Sequence, residues 1–375
     1  MSCPLPDEIE ISIFGPGFGE SIVVHYGMGR WIVIDSCIDP ISGLSMPLNY
    51  LEGIGVDVAS EVDLVVVSHW HDDHTRGIGS LFQKTKKANI VFSSAINTKD
   101  FLELVVLYSK DSKMADTGIS ELSQIIRELE YRASLTDNVN YIPPIFAQLG
   151  LSLLKKKLQI NAREITCELK SLSPSSGAIL GSHLQISKSL PQIDAPKKSL
   201  IGLSKNDTSV ALQLSIGEFS FLFGADLEHT PDNNKGWAAL MNSDHKPENK
   251  SSFYKIAHHG STTGHCDSVW NDLLEINPFC VLTPFKHGRT SLPTQSDVKR
   301  ITSLSNKSYI TSKGIRIRPV RDKTVEKTFK ETVKSSHSMN VRPGYVTFRI
   351  SVDGKNEMIQ TSHDACKLSE YSSFI

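Results

Sequence analysis

The sequence contains no Cys-x-x-Cys pair, and its six cysteines (Cys3, Cys37, Cys167, Cys266, Cys280, Cys366) follow no framework spacing. A thiolate zinc knuckle is therefore excluded, and in a chain of 375 residues such thiols read as reduced or as small buried hydrophobes. No apolar run reaches the roughly 18–20 residues that a helix needs to span a bilayer. The first ten residues have neither the positive n-region nor the apolar h-region of a secretory signal. The expectation is a soluble, cytoplasmic protein with no membrane partner. An excess of one charge is also missing, since 40 Lys+Arg stand against 41 Asp+Glu for a net charge of −1. That excludes a general basic coat for nucleic acid, though not a local basic patch. No Gly-x-Ser-x-Gly elbow occurs. The stretch Gly15-Pro-Gly-Phe-Gly19 lacks a Gly-Lys-Ser/Thr ending and precedes a strand pattern, so it reads as a tight strand connection, not a phosphate loop. Internal repeats and low-complexity tracts are absent as well.

What is present divides along the chain. Residues 9–14, 21–26 and 30–35 alternate as strands, and Val62–Ser68 is a nearly continuous apolar run, as in a strand buried on both faces. A helix is expected from about Arg76, and residues 98–135 carry helical spacing, with Arg127, Glu128, Glu130 and Arg132 on an expected solvated face. Ser209–Leu214 and Glu218–Phe223 read as a hairpin turning at Ile216-Gly217. Phe253–Ala257, Cys280–Thr283 and Ser308–Thr311 are further short strands. From Lys313 to Arg342 nine basic residues (Lys313, Arg316, Arg318, Arg321, Lys323, Lys327, Lys330, Lys334, Arg342) face three acids. That stretch reads as a solvated connection or a surface for a polyanion. Tyr345–Val352 then alternates like an edge strand, and the last 20 residues carry little pattern.

The 13 histidines cluster. Ser68-His69-Trp70-His71-Asp72-Asp73-His74 directly follows the buried strand. On extended backbone, residues two apart point the same way, so His69 and His71 grip one metal. Asp73 and His74, where the chain turns into a helix, face a second position. Imidazole with carboxylate suits zinc, manganese or iron better than magnesium or calcium. His258 and His259 are neighbours and cannot share a direction on extended backbone. His258 is expected on the metal, with His259 behind it or facing the leaving group. His229, His245, His265 and His287 read as surface residues, although Lys286 or Arg289 beside His287 can pair with a substrate phosphate.

His69-x-His71-x-Asp73-His74 resembles the signature of the metallo-β-lactamase fold superfamily, and other motifs follow in that family's order. Asp35, closing Trp31-Ile-Val-Ile-Asp35, resembles the first-motif aspartate. Asp226, ending Phe219-Ser-Phe-Leu-Phe-Gly-Ala-Asp226, resembles the aspartate that bridges two metals. Tyr254-Lys-Ile-Ala-His258-His259-Gly260-Ser261 resembles the last motif. The His-His-Gly-Ser form, the entry Asn206-Asp207-Thr-Ser209 and the opening Phe14-Gly-Pro-Gly-Phe-Gly-Glu-Ser21 are similar to the soluble ComEC-like metallo-β-lactamase domain and its free-standing relatives. Phosphorylcholine esterases of the same superfamily look similar too.

The resemblance covers about residues 8–312. It implies an α/β fold, a four-layer αβ/βα sandwich over residues 1–312 with a helical insertion at about 98–165. Residues 313–375 would be a basic C-terminal extension with one strand. Two divalent ions are implied, zinc first and manganese or iron otherwise, held by His69, His71, Asp73, His74, Asp226 and His258. The third-motif histidine of the family has no counterpart at Leu203–Ser209. Asn206 or Asp207 substitutes, or His183 enters from the preceding loop, or that site is weak; of these His183 is favoured.

Two ions bridged by Asp226 would lower the pKa of a shared water and yield hydroxide as the nucleophile, with Asp73 orienting it and His259 assisting. The expected function is a metal-dependent hydrolase, first a phosphodiesterase or nuclease acting on DNA or RNA. A small-molecule esterase or lactonase is the alternative. Another is a sensor or effector module of a multi-protein, defence-type system, docking through the insertion or the tail.

Overall fold

The computed structural model describes residues 2–109, 117–135, 141–190, 206–313, 322–333 and 344–371. The first sheet is built from β1 (Glu8–Phe14), β2 (Ser21–His25), β3 (Trp31–Ile34), β4 (Val62–Val66), β5 (Asn89–Ser93) and β6 (Ile145–Ala147). The second uses β7 (Ser152–Ile160), β8 (Arg163–Ser171), β9 (Leu212–Ile216), β10 (Phe219–Phe223), β11 (Ser251–Lys255) and β12 (Leu274–Leu282). A small ribbon of β13 (Phe285–His287) and β14 (Thr290–Leu292) follows, then β15 (Ser308–Ile310), β16 (Tyr345–Ser351), β17 (Glu357–Thr361) and β18 (Cys366–Lys367). The two eight-stranded sheets run β17-β16-β1-β2-β3-β4-β5-β6 and β18-β15-β12-β11-β10-β9-β8-β7.

Residue patterning explains the layers. In β4, Leu64 and Val66 enter the core between the sheets, whereas Val65 and Val67 pack against helices. That double burial is why the run is apolar without alternation. Helices Met46–Gly53, Ile78–Lys84, Lys99–Ser109 and Thr117–Leu135 cover the first sheet, and Gly236–Met241 and Gln295–Leu304 cover the second. The chain is the four-layer αβ/βα sandwich expected of it. In each sheet one half is antiparallel and the other parallel; β3 to β6 and β10, β11, β12 and β15 are the parallel halves. The carboxyl ends of parallel strands are where α/β sheets assemble sites.

The helix Thr117–Leu135 buries Ile119, Leu122 and Ile125 along one face. Its polar residues do more than meet solvent. Glu121 accepts from the backbone N–H groups of Gly77 and Gly79, each at 2.9 Å, at the start of the helix Ile78–Lys84. Arg132 donates to the carbonyls of Phe82, Thr85 and Ala88 at that helix's other end. Glu128 and Arg132, expected on a solvated face, are instead turned inward and paired at 2.9 Å. The helix start touches the histidine motif, because Gly118 N–H donates to Asp72 at 3.0 Å. A Cβ at Gly118 would stand 2.2 Å from the Trp70 carbonyl oxygen, so only glycine permits the approach.

Three expectations are corrected. The insertion is helical only to Leu135; residues 152–171 form the β7–β8 hairpin, where Leu153, Leu154, Leu158 and Ile160 reach the inter-sheet core. The run Lys155–Lys157 and a register shift near Ser152 hide the alternation. His183 lies on the helix Ser176–Ser189, capped by Ser175, and not in a loop. The tail is also no appendage. β16 pairs with β1 from Glu8↔Ser351 to Phe14↔Tyr345, β17 forms the edge outside it, and β18 extends the other sheet. Leu368 and Tyr371 are buried, so the stretch up to Tyr371 is ordered by packing. The basic residues Arg316, Arg318, Arg321, Lys334 and Arg342 lie outside the described residues. No helix among those described is long and apolar enough to cross a membrane.

His25 supplies a prediction. Its Nδ1 lies 2.8 Å from the Glu8 carbonyl oxygen and its Nε2 accepts from Gly29 N–H at 3.0 Å, an arrangement that requires the neutral ring. Burial pushes its pKa from 6.5 down to about 4. Between those values the unfolded chain binds the proton and the folded chain does not, so stability falls as pH drops through that window. The loss approaches an order of 3 kcal/mol at its lower end. Urea unfolding of wild type and His25→Gln between pH 7.5 and 4.5 should show a shallower pH slope in the variant. Equal slopes would refute the assignment.

Candidate metal centre

The histidines and aspartates of the motifs arrive from the carboxyl ends of four strands. Asp35 follows β3, Ser68–His74 follows β4, Asp226 follows β10, and His258-His259 follows β11. The chain turns sharply at three of these ends, with φ of 60° at Asp35, 44° at Ala225, 47° at His258 and 53° at His259. Left-handed backbone at non-glycine residues costs on the order of 1 kcal/mol or more each, and its concentration at these strand ends marks a site whose geometry is imposed.

Among the described residues Glu20, Asp35 and His74 form one donor group and two more share Asp226, each with all ligand atoms within 4.8 Å of one another. Of these two, one is Asp73, His74, Asp226 and His259; the other is His69, His71 and Asp226. His259 Nε2 lies 3.2 Å from Asp73 Oδ2 and 3.7 Å from Asp226 Oδ2. His74 Nε2 lies 3.7 Å from Asp73 Oδ2 and 3.4 Å from Asp226 Oδ1. His69 Nε2 and His71 Nδ1 converge to 2.9 Å, with Asp226 Oδ2 at 3.9 Å from His69. Asp226 is the member common to both groups. Behind them, Asp35 Oδ2 lies 2.8 Å from His74 Nδ1, and the same carboxylate accepts from Ser68 N–H at 2.7 Å and Ser68 Oγ at 2.6 Å. A buried carboxylate on Nδ1 fixes the tautomer that presents Nε2 to the site.

The donor set fits divalent cations. His74 Nε2 and Asp226 Oδ1 are buried and make no hydrogen bond, although they face each other. Burial works to raise the Asp226 carboxyl, but His259 and His74 outweigh it and hold the group well below its ordinary range. Asp73 behaves alike, with His74 and His259 overcoming burial. Burial favours a neutral His74, yet Asp226 and Asp73 draw its pKa well above the usual value. His69 is driven well below it by burial and then by His74 and His71. Buried carboxylates thus borrow a proton from imidazole to balance their charge, the balance that a bound cation supplies instead.

The other expected residues lie elsewhere. His258, expected on the metal, does not join either group. Its Nδ1 lies 2.9 Å from both Glu228 Oε1 and Thr263 Oγ1, and its Nε2 is 3.3 Å from Asn206 Nδ2. The consecutive left-handed residues explain the exchange, since the turn sends His259 inward and His258 to the cavity wall. His183 is remote from the groups, with its Nε2 3.2 Å from the Ser94 carbonyl oxygen. Asp207 faces Lys235 at 3.4 Å. Asn206 lines the cavity and keeps Oδ1 buried without a partner.

The cavity over the groups measures about 320 Å³ and is lined by Asp73, Asp226 and His259 on its floor, by His258 on its wall and by Phe18, Arg76, Phe285 and His287 at its rim. The Arg76 guanidinium lies 4.8 Å over the Phe18 ring, Phe18 and Phe285 are 5.7 Å apart, and Phe285 stacks on His259 at 5.1 Å. Alternation along β13 turns Phe285 and His287 to the cavity, while Lys286 and Arg289 do not line it. Sequence reasoning missed Phe18, Arg76, Phe285 and Glu228, none of which belongs to a motif with ligand spacing.

Residues 14–133 match the model of the Metallo-beta-lactamase superfamily, a segment holding Asp35 and the His69–His74 motif. No curated protein matches. Among solved structures, the chain is similar to a HARLDQ-motif mutant of a metallo-beta-lactamase from Cronobacter sakazakii. The identity is 15% over 69% of this chain and 79% of that one, with a TM-score of 0.33. It is also similar to an archaeal metallo-beta-lactamase superfamily protein from Sulfolobus tokodaii, at 12% identity over 64% and 78% with a TM-score of 0.27. Zn(2+)-bound PqqB from Methylobacterium extorquens matches at 10% identity over 57% and 64%, with a TM-score of 0.28. The superfamily match and the imidazole–carboxylate groups together point to a metal-dependent hydrolase.

The exchange of the paired histidines is testable by metal content. In Zn²⁺-loaded protein, His259→Ala should weaken one ion by more than the roughly 10–100-fold that loss of a supporting residue costs. His258→Ala should retain both ions. The opposite pattern, read by mass spectrometry after dialysis, would return His258 to the metal.

Proposed function

We propose that this chain, which carries the αβ/βα fold and, in residues 14–133, the motif segment of the metallo-β-lactamase superfamily, is a metal-dependent phosphodiesterase acting on nucleic acid. The observation that carries this reading is the rim of the cavity, where the Arg76 guanidinium and the Phe18 and Phe285 rings flank the donor groups. A guanidinium recognises an anionic ester, and partly exposed rings give a flat base something to stack on. A neutral amide or thioester draws on neither.

Asp73, His74, Asp226 and His259 would hold one ion, and His69, His71 and Asp226 the other, with zinc expected first and manganese or iron as alternatives. Bound divalent ions supply Lewis acidity, which lowers the pKa of water and offsets the charge of a diester. The protein does the rest. Asp73 Oδ2, 3.2 Å from His259 Nε2, is placed to accept a hydrogen bond from attacking water and orient it. Arg76 approaches Asp72 only to 3.7 Å, and its side chain is partly exposed beside the cavity, where the guanidinium can meet a phosphoryl oxygen. His258, held by Glu228 and Thr263, presents Nε2 towards the side of the cavity where Asn206 stands. The apolar part of the wall, with Leu292, favours a second reading as a small-molecule esterase or lactonase.

Hydrolysis of bis-p-nitrophenyl phosphate and of single-stranded DNA, with Mn²⁺ or Zn²⁺, decides between them. Asp73→Ala should abolish turnover of both. Phe285→Ala should raise KM on DNA by roughly 5–150-fold, the equivalent of ~1–3 kcal/mol of base stacking, and leave KM on the small diester near wild type. DNA cleavage should also fall steeply with salt. Turnover of neutral esters alone would support the esterase, and Asp73→Ala matching wild type on every substrate would end both readings.

A further inference from the structure

A buried ion pair lies beneath the metal centre and takes no direct part in it. Lys255 Nζ, at the end of β11, is 2.5 Å from Glu20 Oε1, and both side chains are 0–1% exposed. Such a pair is a poor source of stability, because desolvation consumes most of its attraction. Its position suggests another use. Its polar contacts run to the Asp73 and Ala225 backbone and to Thr283, which in turn meets His259.

Glu20 N–H donates to the Asp73 carbonyl oxygen at 2.7 Å. Glu20 Oε2 accepts from Thr283 Oγ1 at 2.5 Å, which spends the hydroxyl proton on the carboxylate and leaves an oxygen lone pair free. That lone pair and the Thr283 carbonyl lie 3.0 and 3.1 Å from His259 Nδ1. Both can only accept there, so Nδ1 carries the hydrogen and Nε2 is presented to Asp73 and Asp226. Lys255 Nζ also donates to the Ala225 carbonyl at 3.1 Å, one residue before Asp226 and at a left-handed turn. Glu20 reaches this junction through the glycine stretch between β1 and β2. A Cβ on Gly19 (φ +105°) would stand 2.6 Å from the Cys37 Cβ, and one on Gly15 2.5 Å from the Thr283 side chain.

We propose that Glu20 and Lys255 are positioning residues that assemble the Asp73–His74–Asp226–His259 site, with Glu20 fixing the His259 tautomer through Thr283. The pair does for His259 what Asp35 does for His74, and it ties the loops of the two sheets together at the point where their ligands meet. The inference rests on the metal centre described above.

Removing one partner alone leaves a buried charge and invites misfolding, so the informative variant is Glu20→Gln with Lys255→Met, both uncharged. Thr283→Val and Thr283→Ser form a second set that leaves the ion pair untouched. Each full-length protein is checked by circular dichroism and thermal melting, and its Zn²⁺ affinity is read by competition with a chromophoric chelator. The double variant should melt cooperatively yet hold one Zn²⁺ about 10–100-fold more weakly. Thr283→Val should do likewise, and Thr283→Ser should bind as wild type. A folded double variant with wild-type Zn²⁺ affinity would overturn the proposal, as would Thr283→Val binding as tightly as Thr283→Ser. Should the double variant not fold, the Thr283 pair alone decides. Wild type that binds no Zn²⁺ would overturn the metal centre itself, a result distinguishable from either.

Discussion

Negative charge gathered where water cannot reach it is the constraint from which the rest of this structure follows. Glu20, Asp35, Asp73 and Asp226 are all buried at one end of the sandwich. Unscreened carboxylates repel strongly and are costly to desolvate, so each needs a dedicated counterpart. Asp35 has His74 and two Ser68 donors, and Glu20 has Lys255 and Thr283. Asp73 and Asp226 have only shared imidazoles, and His74 Nε2 and Asp226 Oδ1, 3.4 Å apart, make no hydrogen bond. The two carboxylates left short of partners are the two that face the cavity. Structure and chemistry therefore divide the same set of groups: the satisfied ones hold the scaffold, and the unsatisfied ones face a ligand.

The scaffold that tolerates this is a pair of sheets whose parallel halves end at the same edge. Asp35 and Ser68–His74 hang from one sheet, Asp226 and His259 from the other, so the donor groups are complete only when the sheets stack in register. The core between them, with Phe221, Phe223, Phe253, Phe279 and Phe348 in contact across it, is what holds that register. Asp72 shows how tightly the insertion is joined to the site. It belongs to the histidine motif but caps the helix Thr117–Leu135, whose Glu121 and Arg132 in turn clamp both ends of the helix following the motif.

Much of this was legible in the sequence because local pattern and tertiary role coincided. The apolar run before His69 announced a strand buried on both faces, and the hairpin at Gly217 announced itself by alternation around a turn residue. Strand ends bearing Asp35, Asp226 and the His69–His74 motif were readable for the same reason. Where role depends on a partner distant in the chain, the pattern was silent. Glu128 and Arg132 look solvated until the helix ends they meet are in place. The order of His258 and His259 is decided by a left-handed turn that strand geometry does not anticipate. His183 was placed by residue type alone, and its helix takes it to Ser94. Glu20 and Lys255 stand in family-like motifs without a role that spacing assigns; only the fold brings them together.

The pairing of β1 with β16 bears on the order in which the molecule can be assembled. Ser12 and Thr347 share a hydrogen bond at 2.8 Å across a separation of 335 residues. Closing so long a loop is slow compared with forming local hairpins. β1 thus waits for a strand that lies 335 residues further along the chain. During synthesis the edge of β1 stays open while the remainder of both sheets emerges, a template for mispairing with any extended chain nearby. Glu10 of β1 and Arg349 of β16, directly opposed in the register, form a buried pair when β16 docks. The buried carboxylate of Glu10 finds its guanidinium only once β16 is in place, so the pairing of the two strands is selected by charge as well as by backbone hydrogen bonds.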